Sequence, residues 1–407
     1  MTRASLVLNA GSSSLKFAVY KDGPGTRPAV LRGRIAGIGT EPVFSARDEA
    51  GRALPEDQGM QLEEGVGYDP LMASLLDWLN SRQGGVTIAA AGHRVVHGGR
   101  DHASPARVDA ALLTELATLS PLAPLHQPHN LAAIRAVAAA MPGLPQVACF
   151  DTSFHHTQAR LSKLFALPRA LTEKGIIRYG FHGLSYDYIA GILPDHLDCR
   201  AEGRVIVAHL GNGASMCAMK ARRSVATSMG FTALAGLMMG QRCGTLDPGI
   251  VLYLIREVGM APEAVEHMLY QESGLLGVSG ISNDVELLQA SAEPSAREAI
   301  DLFCERAACE LAALAVTIAG LDAIIFTAGI GENSALVRRL ICDRLTWMGV
   351  VLDGEANGRS AVRISSPASA VDVLVLPTDE EAVIARSTQA LLALQNDEVP
   401  SGQIARA

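Results

Sequence analysis

Short apolar runs recur at Leu6 to Leu8, Thr87 to Ala91, Val147 to Phe150, Val205 to Leu210, Ala323 to Phe326 and Val371 to Leu376. Their length and continuity suit buried strands. Between them, apolar residues return every three or four positions over Pro70 to Leu79, Asp109 to Leu119, Asn130 to Ala140, Ala296 to Ala319 and Asp379 to Leu394, which predicts helices. Strands alternating with helices predict α/β layers. After Asn9 to Ser14 the pattern becomes strict alternation (Leu15, Phe17, Val19), so the first strand turns back into a second. His209 to Ser215 echoes that strand, Gly-rich turn and strand. The echo is weak alone, but two matching halves would make a duplicated α/β protein with a cleft between them.

Ligands of open α/β sheets sit outside the carboxyl ends of strands. In this chain those ends carry Asn9 to Ser14, His93-Arg94, Asp151-Thr152, Gly211-Asn212-Gly213, Gly329-Ile330-Gly331-Glu332-Asn333 and Thr378-Asp379-Glu380. Polar residues and glycines therefore gather where a site would form.

Composition narrows the class. The 407 residues are enough for two or three domains, and 49% hydrophobic with 19% charged residues is ordinary globular usage, which excludes wholesale disorder, coiled coil and collagen. A net charge of -8 argues against a duplex-binding protein, although a local basic pocket is compatible with it. The seven scattered cysteines form no CxxC pair, as expected of a reducing compartment without a zinc site. No signal-like apolar segment follows Met1, and the most apolar stretch, Leu311 to Phe326, is interrupted by Thr317, Gly320 and Asp322. The expectation is a cytoplasmic enzyme with no nucleic-acid or membrane partner.

Several segments have residue types suited to chemistry. Asn9 to Lys16 reads equally as a plain Ser-rich hairpin or as a phosphate-binding turn followed by a lysine; it is not a P-loop, because a strand rather than a helix follows. Gly211 to Gly213 and Gly329 to Asn333 add two further glycine turns, the second read as preceding a helix, and the three together favour a bound nucleotide. Arg94 and Arg242, each near glycines, suit carboxylate or phosphate oxygens, although either alone is more often a structural ion pair. Asp151 and His182 follow strand or glycine positions that project toward the same region, whereas His155 and His156 are assigned to packing and His126 stays ambiguous. Glu380 and Glu381 open a helix, where negative charge complements the dipole. Asn9 and Glu380 could supply the sparse protein ligands that magnesium takes beside phosphate oxygens and water.

Together, Asn9-Ala10-Gly11-Ser12-Ser13-Ser14-Leu15-Lys16, Gly92-His93-Arg94-Val95-Val96-His97-Gly98-Gly99, Phe150-Asp151-Thr152, Arg178-Tyr179-Gly180-Phe181-His182-Gly183, His209 to Gly213, Thr227 to Thr232, Gly236 to Gly240, Phe326 to Asn333 and Glu380-Glu381 resemble the acetate kinase family over nearly the whole length. The resemblance implies a duplicated ribonuclease H-like, actin-like ATPase fold of two domains, 1–151 plus 380–407 and 152–379, with the second domain carrying the nucleotide segments and a homodimer interface. It implies reversible, magnesium-dependent phosphoryl transfer from ATP to acetate, giving acetyl phosphate and ADP, with manganese as an alternative metal. A propionate-preferring kinase is the runner-up, and a catalytically silent nucleotide-binding regulator is the reading from another class.

By position, the resemblance implies catalytic roles for Asp151, His182 and Arg242, and carboxylate binding by Arg94 with Val96, Leu125 and Pro128 lining the acyl pocket. It implies ATP binding by Ser12, Ser14, Lys16, His209, Leu210, Gly211, Asn212, Gly213, Asp284, Val285, Glu286, Gly329, Ile330, Gly331, Glu332 and Asn333, and metal association by Asn9 and Glu380. The chain departs from the family pattern at Glu286, where a nearby arginine is usual, and at Leu184, Tyr186, Gln127, His129 and Thr245.

Overall fold

The structure is a computed structural model that describes residues 2–11, 14–23, 28–55, 59, 60, 62, 65, 67–81 and 86–397. The chain divides into two compact units, one of the residues through Ser153 together with those from Asp379 onward, the other of Phe154–Thr378.

The first unit is built on a seven-stranded sheet of β1 (Thr2–Ala10), β2 (Ser14–Lys21), β3 (Leu31–Ala36), β4 (Val43–Asp48), β5 (Val86–Val95), β6 (Ala106–Arg107) and β7 (Gln146–Phe150), in the order β4-β3-β2-β1-β5-β7-β6. Strands β1, β5 and β7 are parallel, while β2, β3 and β4 form an antiparallel meander. The period of two sends Leu15, Phe17 and Ile35 to one face, where they meet Leu71, Met72, Leu75 and Leu79 of helix Tyr68–Ser81. Each such fully buried side chain is worth about 1.5–3 kcal/mol of transfer free energy.

Helix Glu380–Asp397 packs against β1, β5 and β7. Its approach to β5 depends on Gly92, since a Cβ there would lie 2.3 Å from Thr388 Oγ1 and 2.7 Å from Ile384 Cγ2. Asp379 caps this helix by accepting from Ala382 N at 3.0 Å, and Arg32 and the Tyr20 hydroxyl fix its carboxylate. The helix therefore starts at a defined point, with Glu380 as its first residue.

The second unit has a five-stranded sheet of β8 (Arg204–Leu210), β9 (Ala214–Lys220), β10 (Arg223–Thr227), β11 (Ala323–Thr327) and β12 (Asp372–Val375), ordered β10-β9-β8-β11-β12. Its hairpin, meander and two parallel strands repeat the order and sense of β3-β2-β1-β5-β7. The faint echo between the two Gly-rich turns is thus a duplication of a whole sheet. Val205, Val207, Met219 and Ile325 bury one face against Tyr186, Ile189 and Leu193. Helix Pro294–Thr317 packs on β8, β9 and β10 and buries a stripe that includes Ile300, Phe303, Ala307, Leu311 and Leu314. Among the described residues no helix is long and apolar enough to cross a membrane.

Candidate active site

In the first unit, Asn9, Arg94 and Asp151 come together because β1, β5 and β7 are parallel neighbours whose carboxyl ends are level. Leu8 pairs with His93, Val95 pairs with Phe150, and Asp151 N donates to Val95 O at 3.1 Å. Arg94 Nε donates to both Asp151 carboxylate oxygens at 3.2 and 3.1 Å, and Nη2 donates to Oδ2 of the same carboxylate. Arg94 Nη1 donates to Asn9 Oδ1 at 3.2 Å, and Glu380 Oε2 lies 3.9 Å from Arg94 Nε. Three of the five guanidinium N–H groups are thereby committed, leaving one on each terminal nitrogen for a ligand oxygen.

Asp151 is buried and the Arg94 and Glu380 side chains nearly so. Burial opposes the Arg94 charge, but the Asp151 and Glu380 carboxylates outweigh it and hold the guanidinium above its ordinary pKa. Burial pushes the Glu380 carboxyl up to about 7; the nearby Arg94 and Lys16 cations pull it down, and Asp151 and Glu381 push it further up.

Side-chain amides brace these loops. Asn130 accepts from Val96 N at 2.9 Å and donates to Ala10 O at 2.6 Å, so one residue ties the end of β1 to the segment after β5. Gln127 accepts from His97 N and donates to His97 O and Leu116 O. Val96 is buried and Leu125 partly so, while Pro128 is exposed in the first turn of helix Gln127–Ala140. Ser14 begins β2 after a turn closed by Gly11 N to Ser14 O, and Lys16 stands opposite Asn9 in the hairpin register. Ser12 lies outside the described residues.

In the second unit, His182 occupies a left-handed conformation (φ 56°) at the start of helix Gly183–Ile192. Its Nδ1 bonds the Ser215 hydroxyl at 2.8 Å, which also bonds the Tyr186 hydroxyl. The His182 ring stacks on His209 at 4.3 Å, and His209 Nδ1 bonds the Ser185 hydroxyl at 2.8 Å. A Cβ on Gly213 would lie 3.4 Å from His182 Nε2 and 3.8 Å from an Arg242 terminal nitrogen, so imidazole, guanidinium and glycine turn converge. Arg242 is anchored by donating to Ala233 O at 3.2 Å.

Beside this group is a cavity of about 570 Å³ lined by Gly211, Asn212, Asn283, Asp284, Val285, Glu286, Gln289, Gly329, Ile330, Asn333 and Ser334. Eight of the residues expected at a nucleotide line it. Leu210 and Gly331 are instead buried, packed against the strands, and Glu332 turns away to accept from Ala328 N at 2.8 Å. The segment Gly329 to Asn333 does not precede a helix but is itself one, Ala328–Asn333, closed at Ser334, which caps the following helix Ala335–Asp343. Asn283, Gln289 and Ser334 were not singled out from sequence, where isolated amides and hydroxyls have no spacing signal. Asn212 organises the cavity: it accepts from Asn283 Nδ2 at 3.2 Å and from Gly240 N at 3.0 Å through its backbone oxygen. Arg338, fully buried, donates to Gly331 O, Glu332 O and Asn357, fixing the turn from below.

No cluster of three or more His, Cys, Asp or Glu side chains forms a metal cage among the described residues. The oxygen donors Asn9 Oδ1 and the Glu380 carboxylate, flanking Arg94, fit a hard divalent cation that takes its remaining ligands from phosphate and water.

The chain is similar to known proteins over nearly its whole length. The model of the Acetokinase family matches residues 4–386. The acetate kinase of Rhodopseudomonas palustris is 51% identical over 391 residues, covering 95% of this chain and 98% of that protein. Among solved structures, a propionate kinase from Francisella tularensis superposes with a TM-score of 0.87 at 36% identity, covering 96% of this chain and 100% of the other. The Porphyromonas gingivalis acetate kinase gives 0.84 at 32% identity, with the same coverage. On the strength of a match spanning both units and all the segments described above, the chain belongs to the acetokinase family of carboxylate-phosphorylating kinases.

Proposed function

We propose that the protein is a cytoplasmic acetate kinase that reversibly transfers the γ-phosphoryl group of ATP to acetate, yielding acetyl phosphate and ADP. The observation that supports it most is the Arg94 guanidinium, tied to Asp151 and Asn9 yet retaining one N–H on each terminal nitrogen. Two donors on one planar guanidinium suit a carboxylate. In this reading residues 1–151 plus 380–407 carry the carboxylate end and residues 152–379 the nucleotide segments.

Acetate binds through Arg94 with its methyl group toward Val96, Leu125 and Pro128. One acetate oxygen attacks the γ-phosphorus in line, forming the new O–P bond as the bond to the β–γ bridging oxygen breaks and its electron pair leaves on ADP. No proton transfer is needed, because acetate is already ionised at neutral pH. Asp151 therefore acts by orienting Arg94 rather than as a base. His182 and Arg242 offset charge on the transferring group, which is how phosphoryl transfer is chiefly accelerated. Asn9 and Glu380 would hold magnesium, or manganese, which when bound neutralises phosphate charge. The base occupies the cavity lined by Asp284, Glu286 and Asn333, and Ser12, Ser14, Lys16 and His209 to Gly213 attend the phosphates.

A propionate kinase is the second reading, favoured by the likeness to the Francisella tularensis enzyme; one methylene changes selectivity by only about 1–3 kcal/mol. We also infer a homodimer formed through the second unit. Leu161, Leu252, Tyr253 and Val316 are exposed on elements that border one depression of about 620 Å³ lined by Phe165, Val251, Leu269 and Leu314, and exposed apolar clusters of this kind mark protein contacts. Direct transfer is tested with ATP made chiral at the γ-phosphorus: inversion supports the in-line step, and retention contradicts it. Sedimentation of the purified chain tests the dimer.

A further inference from the structure

The face of β2, β3 and β4 turned away from the apolar core contains a second, smaller feature. Leu15, Phe17, Ile35 and Ala46 point into the core, so the alternation places Lys16, Arg32, Arg34, Ser45 and Arg47 together on the opposite face. There they line a groove of about 280 Å³, with Glu381 as the carboxylate among its lining residues.

The register makes this arrangement unfavourable on its own. Lys16 stands directly opposite Arg34, and Arg32 directly opposite Arg47. Like charges at directly opposed positions destabilise an antiparallel pair. Arg32 is neutralised by Asp379, with Glu381 at 3.9 Å. Arg47 gives an N–H to Gly51 O at 3.1 Å, a hydrogen bond that leaves its charge unmatched. Lys16, Arg34 and Arg47 form no ion pair among the described residues.

We propose that this groove binds a small multivalent oxyanion, a polyphosphate or polycarboxylate, between Lys16, Arg34 and Arg47. Its volume is at the lower end of the roughly 300–1,000 Å³ range of ligand pockets, which suits a small anion. The guanidinium forks suit either phosphate or carboxylate oxygens. The row Asn9, Lys16, Arg34, Ser45 runs across four adjacent strands, so the groove begins one strand away from the Arg94 cluster. An anion bound there competes for Lys16 and raises the apparent KM for ATP. That consequence rests on the phosphate role proposed for Lys16; the binding itself does not.

The test is calorimetric titration of the full-length, metal-free and nucleotide-free protein at low salt with inorganic triphosphate and, separately, with citrate. The comparison is the double variant Arg34→Gln/Arg47→Gln, whose sites are exposed and outside the proposed catalytic set. At least one of the two anions is expected to bind wild type and to lose tenfold or more in the variant; the better ligand identifies phosphate or carboxylate recognition. In the same samples that anion raises the thermal midpoint of wild type but not of the variant. Equal affinity in both proteins, or binding of neither anion, overturns the proposal. Absence of kinase turnover with the binding difference intact would defeat the activity assignment and leave this site standing.

Discussion

Arg94 grips Asp151 through Nε, at 3.1 and 3.2 Å, and through Nη2, while its remaining terminal nitrogen reaches Asn9. In the proposed function the buried aspartate therefore acts on the substrate through the arginine. Replacing Asp151 by Asn keeps the volume but removes the charge that fixes the guanidinium. A kcat loss of about 10²–10³ is expected, the scale for deleting one preorganised electrostatic partner, while calorimetry finds nucleotide binding retained. Near-normal turnover in folded Asp151→Asn would remove Asp151 from the mechanism.

Arg94→Lys preserves charge but cannot hold Asp151 and Asn9 while presenting two further donors. The KM for acetate should rise tenfold or more, equivalent to about 1.4 kcal/mol, with the KM for ATP little changed. Unchanged acetate saturation curves would contradict carboxylate binding by Arg94.

Glu380 has a folded-state pKa of about 7, raised first by burial, against an ordinary value of 4.5. A raised carboxyl favours the folded protein when protonated, so its contribution to stability falls as pH climbs from the unfolded value through the folded one. Glu380→Gln, without the charge, should therefore melt higher than wild type at pH 8 in the absence of metal, yet need more magnesium for half-maximal turnover. A variant that melts lower at pH 8 and equals wild type at pH 4 would contradict the sign.

Buried His93, His97 and His155 are each pushed down to about 4 by burial. Their unfolded forms take up protons near 6.5, so stability conferred by the neutral folded rings is lost as pH falls from 6.5 to 4. With three histidines opposed by Glu380 and by Glu310, whose carboxyl burial also pushes up, the net is about one to two protons, or roughly 1.5–3 kcal/mol per pH unit. Denaturant midpoints between pH 6.5 and 4.5 check this; a flat profile would contradict it.

Gly240 has no room for a side chain: a Cβ would sit 1.9 Å from Asn212 Oδ1. Gly240→Ala displaces the residue that bonds Asn283 at the cavity proposed for the nucleotide, so KM for ATP should rise severalfold or more, with acetate KM far less affected. Equal effects on both would indicate general unfolding rather than loss of the cavity.

Much of this was legible in the chain. The six apolar runs are strands and the five periodic stretches are helices, because continuous Val/Ile/Ala segments and three-four spacing each have a single low-energy way to bury. Strands β3 and β4 carry a weak pattern in the sequence because their outward face is Arg32, Arg34, Ser45 and Arg47, whose charges crowd the few apolar positions between them. Asn9, Arg94, Asp151 and Glu380 were readable as strand-end and helix-start residues. What brings Glu380 to Arg94, a helix from the far end of the chain seated over Gly92, is long-range packing that no local pattern encodes. The bracing amide Asn130 and the cavity residues Asn283 and Gln289 were invisible for the same reason, and Gln127 stood out only as a departure from the family pattern, not as a brace.

The most direct test of the central claim is acyl phosphate formation by the purified protein with magnesium, comparing kcat/KM for acetate, propionate and butyrate against ATP, GTP and pyrophosphate. Acetate with ATP should lead, and Asp151→Asn and Arg94→Lys should each abolish or cripple turnover of that pair. No acyl phosphate from any combination, in protein that still binds nucleotide, would contradict it and leave a nucleotide-binding regulator on a kinase fold.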